Sequence, residues 1–421
     1  MNTSIKGIDV VLFVLLFCYV FAFFIGPISI SLLIAVPLYG IICINSDYYK
    51  GLLDIINSDY IKYVFIAWSI IVLFGSIHPI VLSTFDFSFE FIVLTQALHF
   101  IAALPVFTFL YINNVTHNKV ERYFVFIFVL QTIIQVIVVN SSYLSDLILQ
   151  FNHFDPDSVI GIGSGVRGKA LSAATTYHLS MAYGICFIIY VKDFFSAKAS
   201  IVNTLIGILL FVGIFFAGRT GFVACLIGFI GFFLYRYSIG KIIKMFKALL
   251  IVIVFVSLTG VLLFLYSPEF YELINEQLLP YAFEFLYSMS DGGTAETAST
   301  NRLMEMWNDS NFDSLELLFG SGKYSNTDGS YYMHVDPGVL RHMLYMGVVG
   351  YLLLLVYQLM LLPVWRFKGR DLFYYSLVFL FLCIMDFKCV NIGVNKFVFS
   401  ISLLLSFSSL FLKKEDELSL E

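Results

Sequence analysis

The sequence predicts an all-α, polytopic membrane protein, and three observations carry that expectation. Of the 421 residues, 60% are hydrophobic and only 13% charged, with a mean hydropathy of +0.90. A soluble domain carries about 25% charged residues, so folding this much apolar surface into one core would leave too little polar surface to face water. The apolar residues also fall in runs close to 20 residues, where about 1.5 Å of rise per residue crosses a hydrocarbon layer roughly 30 Å thick. Those runs are continuous rather than alternating, which selects helices over barrel strands in a medium where backbone groups must pair internally.

Twelve runs qualify, at approximately 8–26, 28–45, 61–82, 91–112, 121–140, 176–192, 200–217, 220–236, 247–266, 338–362, 372–390 and 393–412. The first follows Lys6 but lacks a small-x-small cleavage site, so it is expected to be a retained span. With the N-terminus inside, 16 of the 24 lysines and arginines fall on the cytoplasmic side, which places both termini there. The expected organisation is five spans over 1–140, an outer loop at 141–175, four spans over 176–266, a large outer loop at 267–337, three spans over 338–412 and a tail at 413–421. The large loop holds twelve acidic residues against Arg302 and Lys323, with a short helix predicted from Asn301 to Ser310.

Some chemistries are excluded early. A net charge of -5 argues against a broad nucleic-acid-binding face. None of the six cysteines forms a CxxC or a Cys/His cluster, so neither a disulfide framework nor a zinc site is expected, and no cofactor is implied.

Arginines on the outer face run against the orientation bias and require a partner or a task. Arg219 lies in Ala217-Gly218-Arg219-Thr220-Gly221, the tip of a tight hairpin between two spans, where it either snorkels to headgroups or functions. Arg341 falls in the first turns of the tenth span, with Pro337 expected at the first helical position and Asp336 as the N-cap. A cation at that positive dipole end is better understood if an anion shares the site; a salt bridge to a loop carboxylate is the competing explanation. Arg302 follows a helix start and could equally pair with Glu305 or Asp309. Arg167 and Lys169 occupy a glycine-rich stretch that lacks the spacing of a phosphate loop. His334 and His342 flank Asp336, an arrangement suited to proton transfer or to a polar boundary. His178, Lys388 and Tyr345 are secondary candidates, and Asp386, Asn391, Asn395 and Lys396 make the outer ends of the last two spans unusually polar.

Taken together, Asn301-Arg302-Leu303-Met304-Glu305-Met306-Trp307, Leu318-Phe319-Gly320-Ser321-Gly322 and His334-Val335-Asp336-Pro337-Gly338-Val339-Leu340-Arg341, with Gly347 to Gly350, resemble the large periplasmic loop and following helix of O-antigen polymerases of the Wzy type. The Gly218-Arg219-Thr220-Gly221 hairpin and Arg167 to Leu171 resemble that family's other arginine sites. The resemblance implies a GT-C-like glycosyltransferase of the bacterial inner membrane, with its active site facing the periplasm. Its donor and acceptor would be undecaprenyl-diphosphate-linked oligosaccharides, and a chain-length regulator protein would be its partner.

On that resemblance, Arg219, Arg302, Arg341 and Arg167 are the diphosphate-binding candidates, and Asp336 or His334 is the base. Related ligases place a histidine near the position that Asp336 occupies, so the identity of the base stays open. The chemistry fits these residue types, because a departing diphosphate needs fixed bidentate donors and an acceptor hydroxyl needs a group to take its proton. Without a metal cluster in the sequence, the transfer is expected to be metal-independent. The competing readings are an O-antigen ligase acting on lipid A–core and a flippase for lipid-linked oligosaccharides.

Overall fold

The computed structural model describes residues 7–152, 169–174, 176–195, 200–235, 298–309 and 313–413, with isolated helical positions between 240 and 265. Arg167, the loop stretch 267–297 and all but those isolated positions of the expected span at 247–266 lie outside the described residues.

The described chain is helical almost throughout. Helix α1 (Gly7–Phe21) ends in a two-stranded hairpin, Phe24–Ile25 with Ile28–Ser29, before α2 (Ile30–Ile44) and α3 (Ser46–Ile56). Three long helices follow: α4 (Asp59–Val81), α5 (Ser88–Ile112) and α6 (His117–Val139). A short α7 (Ser142–Leu149) precedes α8 (Tyr177–Tyr190), which continues into a π-helical turn, Val191–Phe195. Helix α9 (Ile201–Ala217) and α10 (Phe222–Leu234) are joined by a 3-10 turn, Arg219–Gly221. The remaining helices are α11 (Ala298–Asp309), α12 (Ser314–Phe319), α13 (Gly338–Leu361), α14 (Gly369–Asp386) and α15 (Lys396–Phe411).

Among the described residues, five helices are long and apolar enough to cross a membrane: α4, α5, α6, α8 with its π turn, and α13 extended to Arg366. The pair α2–α3, bent by 112° at Asn45, would make a sixth. Helices α1, α9, α10 and α15 are apolar but shorter. Side chains such as Val36, Leu73, Ile77 and Phe91 are exposed, as lipid-facing residues are in a membrane protein. The sequence places a loop where α3 stands. Asn45 starts that helix by accepting from the backbone N–H of Asp47 at 2.9 Å.

Aromatic rings fill the core. Phe107 of α5 stacks on Phe407 of α15 with centroids 4.3 Å apart, and Phe128 of α6 meets Tyr183 of α8 edge to face at 4.9 Å.

The segment between α12 and α13 is seated in a break of α13. Gly347 there has φ +67, which interrupts the helical ladder. The carbonyls of Leu344 and Tyr345 consequently accept from Ser321 N at 2.7 Å and Gly322 N at 2.9 Å. Only glycine permits this approach: a Cβ on Gly347 would lie 2.1 Å from Leu318 O, and one on Gly320 would lie 2.4 Å from Tyr345 C. From the other side, the α4–α5 connection clamps the same segment, with Thr84 Oγ1 donating to Gly322 O at 2.6 Å and Asp86 Oδ2 accepting from Tyr324 N at 2.6 Å and Ser325 N at 2.8 Å.

Candidate functional site

Helix α13 begins one residue later than its sequence suggests. Pro337 is the N-cap, with an extended backbone (φ -60, ψ 128), and makes no side-chain cap bond. Asp336 therefore stands outside the helix rather than capping it, a correction to the expected start, and its side chain is exposed at a cavity.

Four residues after Pro337, Arg341 is buried, at 3% exposure. The clamped segment brings two aromatic rings onto its guanidinium: Cζ lies 3.8 Å from the Tyr324 centroid and 3.1 Å from that of Tyr331. One terminal nitrogen donates to Tyr324 O at 3.3 Å, while Nε makes no hydrogen bond. Arg341 is thus held by rings and a carbonyl rather than by the loop carboxylate that the sequence offers as an alternative.

Two adjoining cavities open around this arrangement. The first, about 250 Å³, is lined by Arg341, His178, Lys396 and His99, with Tyr177, Tyr324 and Tyr331. No carboxylate is among its lining residues, so its charge is positive. The second, about 420 Å³, is lined by Arg302, Leu303 and Met306 of α11, by Asp336, by Lys388 to Val390 beyond α14, and by Thr220. Tyr177 and Tyr331 belong to both walls. Buried polar atoms without a protein hydrogen bond recur here: Tyr324 OH, His99 Nδ1 and Thr220 Oγ1, besides Arg341 Nε. Such atoms, rare in folded proteins, suit a polar occupant.

Each wall has a local cause. Helix α8 presents Tyr177 and His178, stacked with centroids 3.9 Å apart. Ser180, one turn on, fixes the α9–α10 turn by donating to Gly218 O and accepting from Gly221 N at 2.8 Å. A Cβ on Gly221 would meet Ser180 O at 2.8 Å, so the turn can approach α8 closely. This puts Thr220 in the second cavity and half-buried Arg219 beside it. Lys396 opens α15, where Asn395 caps by accepting from Phe397 N at 3.0 Å.

Burial raises the Asp86 carboxyl, but bonds from Ser88 Oγ and from the backbones of Ser325, Ser88 and Tyr324 outweigh it and hold the group below its ordinary value. Asp86 is thereby a charged anchor under the ring that carries Arg341. Burial also pushes the Tyr324 phenol well up, and Arg341 opposes this only in part.

The remaining sequence candidates fall elsewhere. His334 is exposed in the 3-10 turn Tyr332–His334, with φ +55 following Met333 at φ +53, and lines neither cavity. Two consecutive non-glycine residues in the left-handed region are costly and recur beside functional sites. Tyr345 is buried in packing: its hydroxyl donates to Gly75 O at 3.2 Å, and its carbonyl accepts from His78 Nε2 at 2.9 Å. Sequence reasoning passed over Tyr177, Tyr324, Tyr331, His99 and Asp86. Among 26 tyrosines, nothing local marks two as ring partners of one arginine and a third as a cavity wall.

Comparison with known proteins adds no family: no family model matches the chain, and no curated protein or solved structure matches it either.

Proposed function

We propose that the chain is a membrane glycosyltransferase of the O-antigen polymerase kind, with twelve spans, both termini in the cytoplasm and its cavities facing the periplasm of a bacterial inner membrane. The observation that supports this most is Arg341, a buried guanidinium presented between two tyrosine rings to a carboxylate-free cavity that also holds Lys396 and His178. A lipid-linked diphosphate suits that cavity, because planar donors and an ammonium in a low-dielectric setting stabilise the charge that grows as a glycosyl–phosphate bond breaks.

The second cavity suits the acceptor. Asp336 faces it beside Arg302 and Lys388, so the carboxylate can take the proton of an acceptor hydroxyl as its oxygen bonds the anomeric carbon and the diphosphate leaves. His334 keeps no comparable position. Arg302 and Lys388 then serve the sugar side or the outer phosphate, and Arg219 flanks Thr220 at the rim.

Purified protein incubated with undecaprenyl-diphosphate-linked repeat units in detergent tests the proposal. Polymerase activity lengthens them, whereas a flippase leaves their length unchanged. A deletion strain whose lipid A–core carries a single repeat unit fits a polymerase, and bare core fits a ligase. The flippase reading is favoured by one feature, a buried cluster of charges among α6, α8 and α14, because intramembrane ionisable groups often mark transport pathways.

A further inference from the structure

That buried cluster lies at the end of the bundle opposite the cavities, since α8 and α15 begin at the cavities and end at the cluster. His117 and Glu121, one turn apart on α6, meet Asp371 of α14, and all three are buried. Ser408 Oγ has a carbonyl to donate to, Leu405 O at 3.1 Å, which lets its oxygen accept from His117 Nδ1 at 3.1 Å. In the neutral ring, Nε2 then presents a lone pair, and it makes no hydrogen bond. It faces two carboxylate oxygens, Glu121 Oε2 at 3.4 Å and Asp371 Oδ2 at 3.5 Å.

Three lone-pair atoms converging in a buried place repel one another unless a cation joins them. Both distances from Nε2, 3.4 and 3.5 Å, exceed the roughly 2.7–3.2 Å of an N–H···O bond. They lie close to the edge of about 3.3–3.4 Å between ligands placed tetrahedrally at about 2.0–2.1 Å from an ion. One nitrogen and two oxygens, all within 4.8 Å of one another, form a donor set of the zinc type. We propose that His117, Glu121 and Asp371 bind one divalent transition-metal ion of the zinc class.

Lys192 does not replace that ion. Its Nζ lies 2.6 Å from Glu121 Oε2 and 2.7 Å from Asp371 Oδ1, and Tyr375 OH donates to Glu121 Oε1 at 2.7 Å. These contacts orient the two carboxylates as outer partners of metal ligands do. Asp193, beside Lys192 on the same turn and ion-paired to Arg370 at 3.0 Å, borders the cluster on its outer side. Lys192 stands on the π-helical turn, a distortion frequent at functional sites. The site is independent of the glycosyltransferase reading.

The experiment uses full-length protein without a polyhistidine tag, stripped with chelator and titrated with Zn2+ or Co2+. The expected result is one ion per chain, visible Co2+ absorption of tetrahedral strength, and affinity at least tenfold weaker in His117→Ala and Asp371→Asn. Wild-type protein that binds no ion, or binds Co2+ without those bands, overturns the proposal. The stoichiometry and the Co2+ spectrum are both read on wild-type protein, so they stand even where a variant folds poorly.

Discussion

Asp86 Oδ2 accepts a hydrogen bond from the backbone nitrogen of Tyr324 at 2.6 Å, linking the α4–α5 connection to a residue 238 positions later whose ring carries Arg341. Hydrogen bonds to a charged group contribute about 1.5–3 kcal/mol, so Asp86→Ala is expected to lower stability by about that amount. The folded carboxyl titrates below its unfolded value, so its contribution is complete above the unfolded value of about 3.9 and fades as pH falls through the folded one. Thermal melts of wild type and Asp86→Asn should therefore differ at neutral pH and converge in acid. A difference that persists unchanged at low pH would refute the anchor.

Gly320 and Gly347 interlock at close range. Gly347→Ala would place a Cβ 2.1 Å from Leu318 O in a positive-φ conformation, and Gly320→Ala would do the same against Tyr345. Each is expected to cost about 2 kcal/mol or more, read as a fall in melting temperature. Gly329→Ala, also at positive φ but with open space around its Cβ position, should cost about 1 kcal/mol.

Arg341→Lys keeps the charge but loses the flat surface that two rings contact. On the proposed function, it should lower polymer formation about 10²-fold while the protein inserts and folds normally. A full ladder of polymer lengths from this variant would remove Arg341 from the chemistry.

Asp336→Asn should leave binding of lipid-linked units intact and reduce the rate of lengthening by about 10²–10⁴-fold. His334→Ala should change that rate little, since its exposed side chain lines neither cavity. The reverse ranking would exchange the two roles.

Lys192→Met would leave Glu121 and Asp371 buried without their ammonium. Breaking a buried pair on one side costs about 3–5 kcal/mol, so detergent-solubilised protein should melt far below wild type. Lys192→Met combined with Glu121→Gln should recover part of the loss.

Hydropathy made the helices legible because it is a local signal that survives without tertiary context. Helix length is a separate matter: α1, α9, α10 and α15 are apolar but fewer than eighteen residues long, and among the described residues five or six helical units reach a spanning length. Helix α3 escaped because eleven amphipathic residues resemble a polar loop when no span length is sought. Charge in costly places led to Arg341, Arg302, Asp336, Lys388 and His178, which the structure gathers at two adjoining cavities. The aromatic walls were illegible, because Tyr324 reaches Arg341 only through Asp86 and the break at Gly347. The His117–Asp371 meeting spans 254 positions, and its one local trace was the i, i+4 pair of His117 and Glu121.

Tyr331 and Tyr177 carry a final consequence, because these two rings form part of the wall of both chambers. On the proposed function, an elongated occupant that reaches from one to the other must bend around that partition, so the shape of a guest at its midpoint counts as well as the chemistry of its two ends.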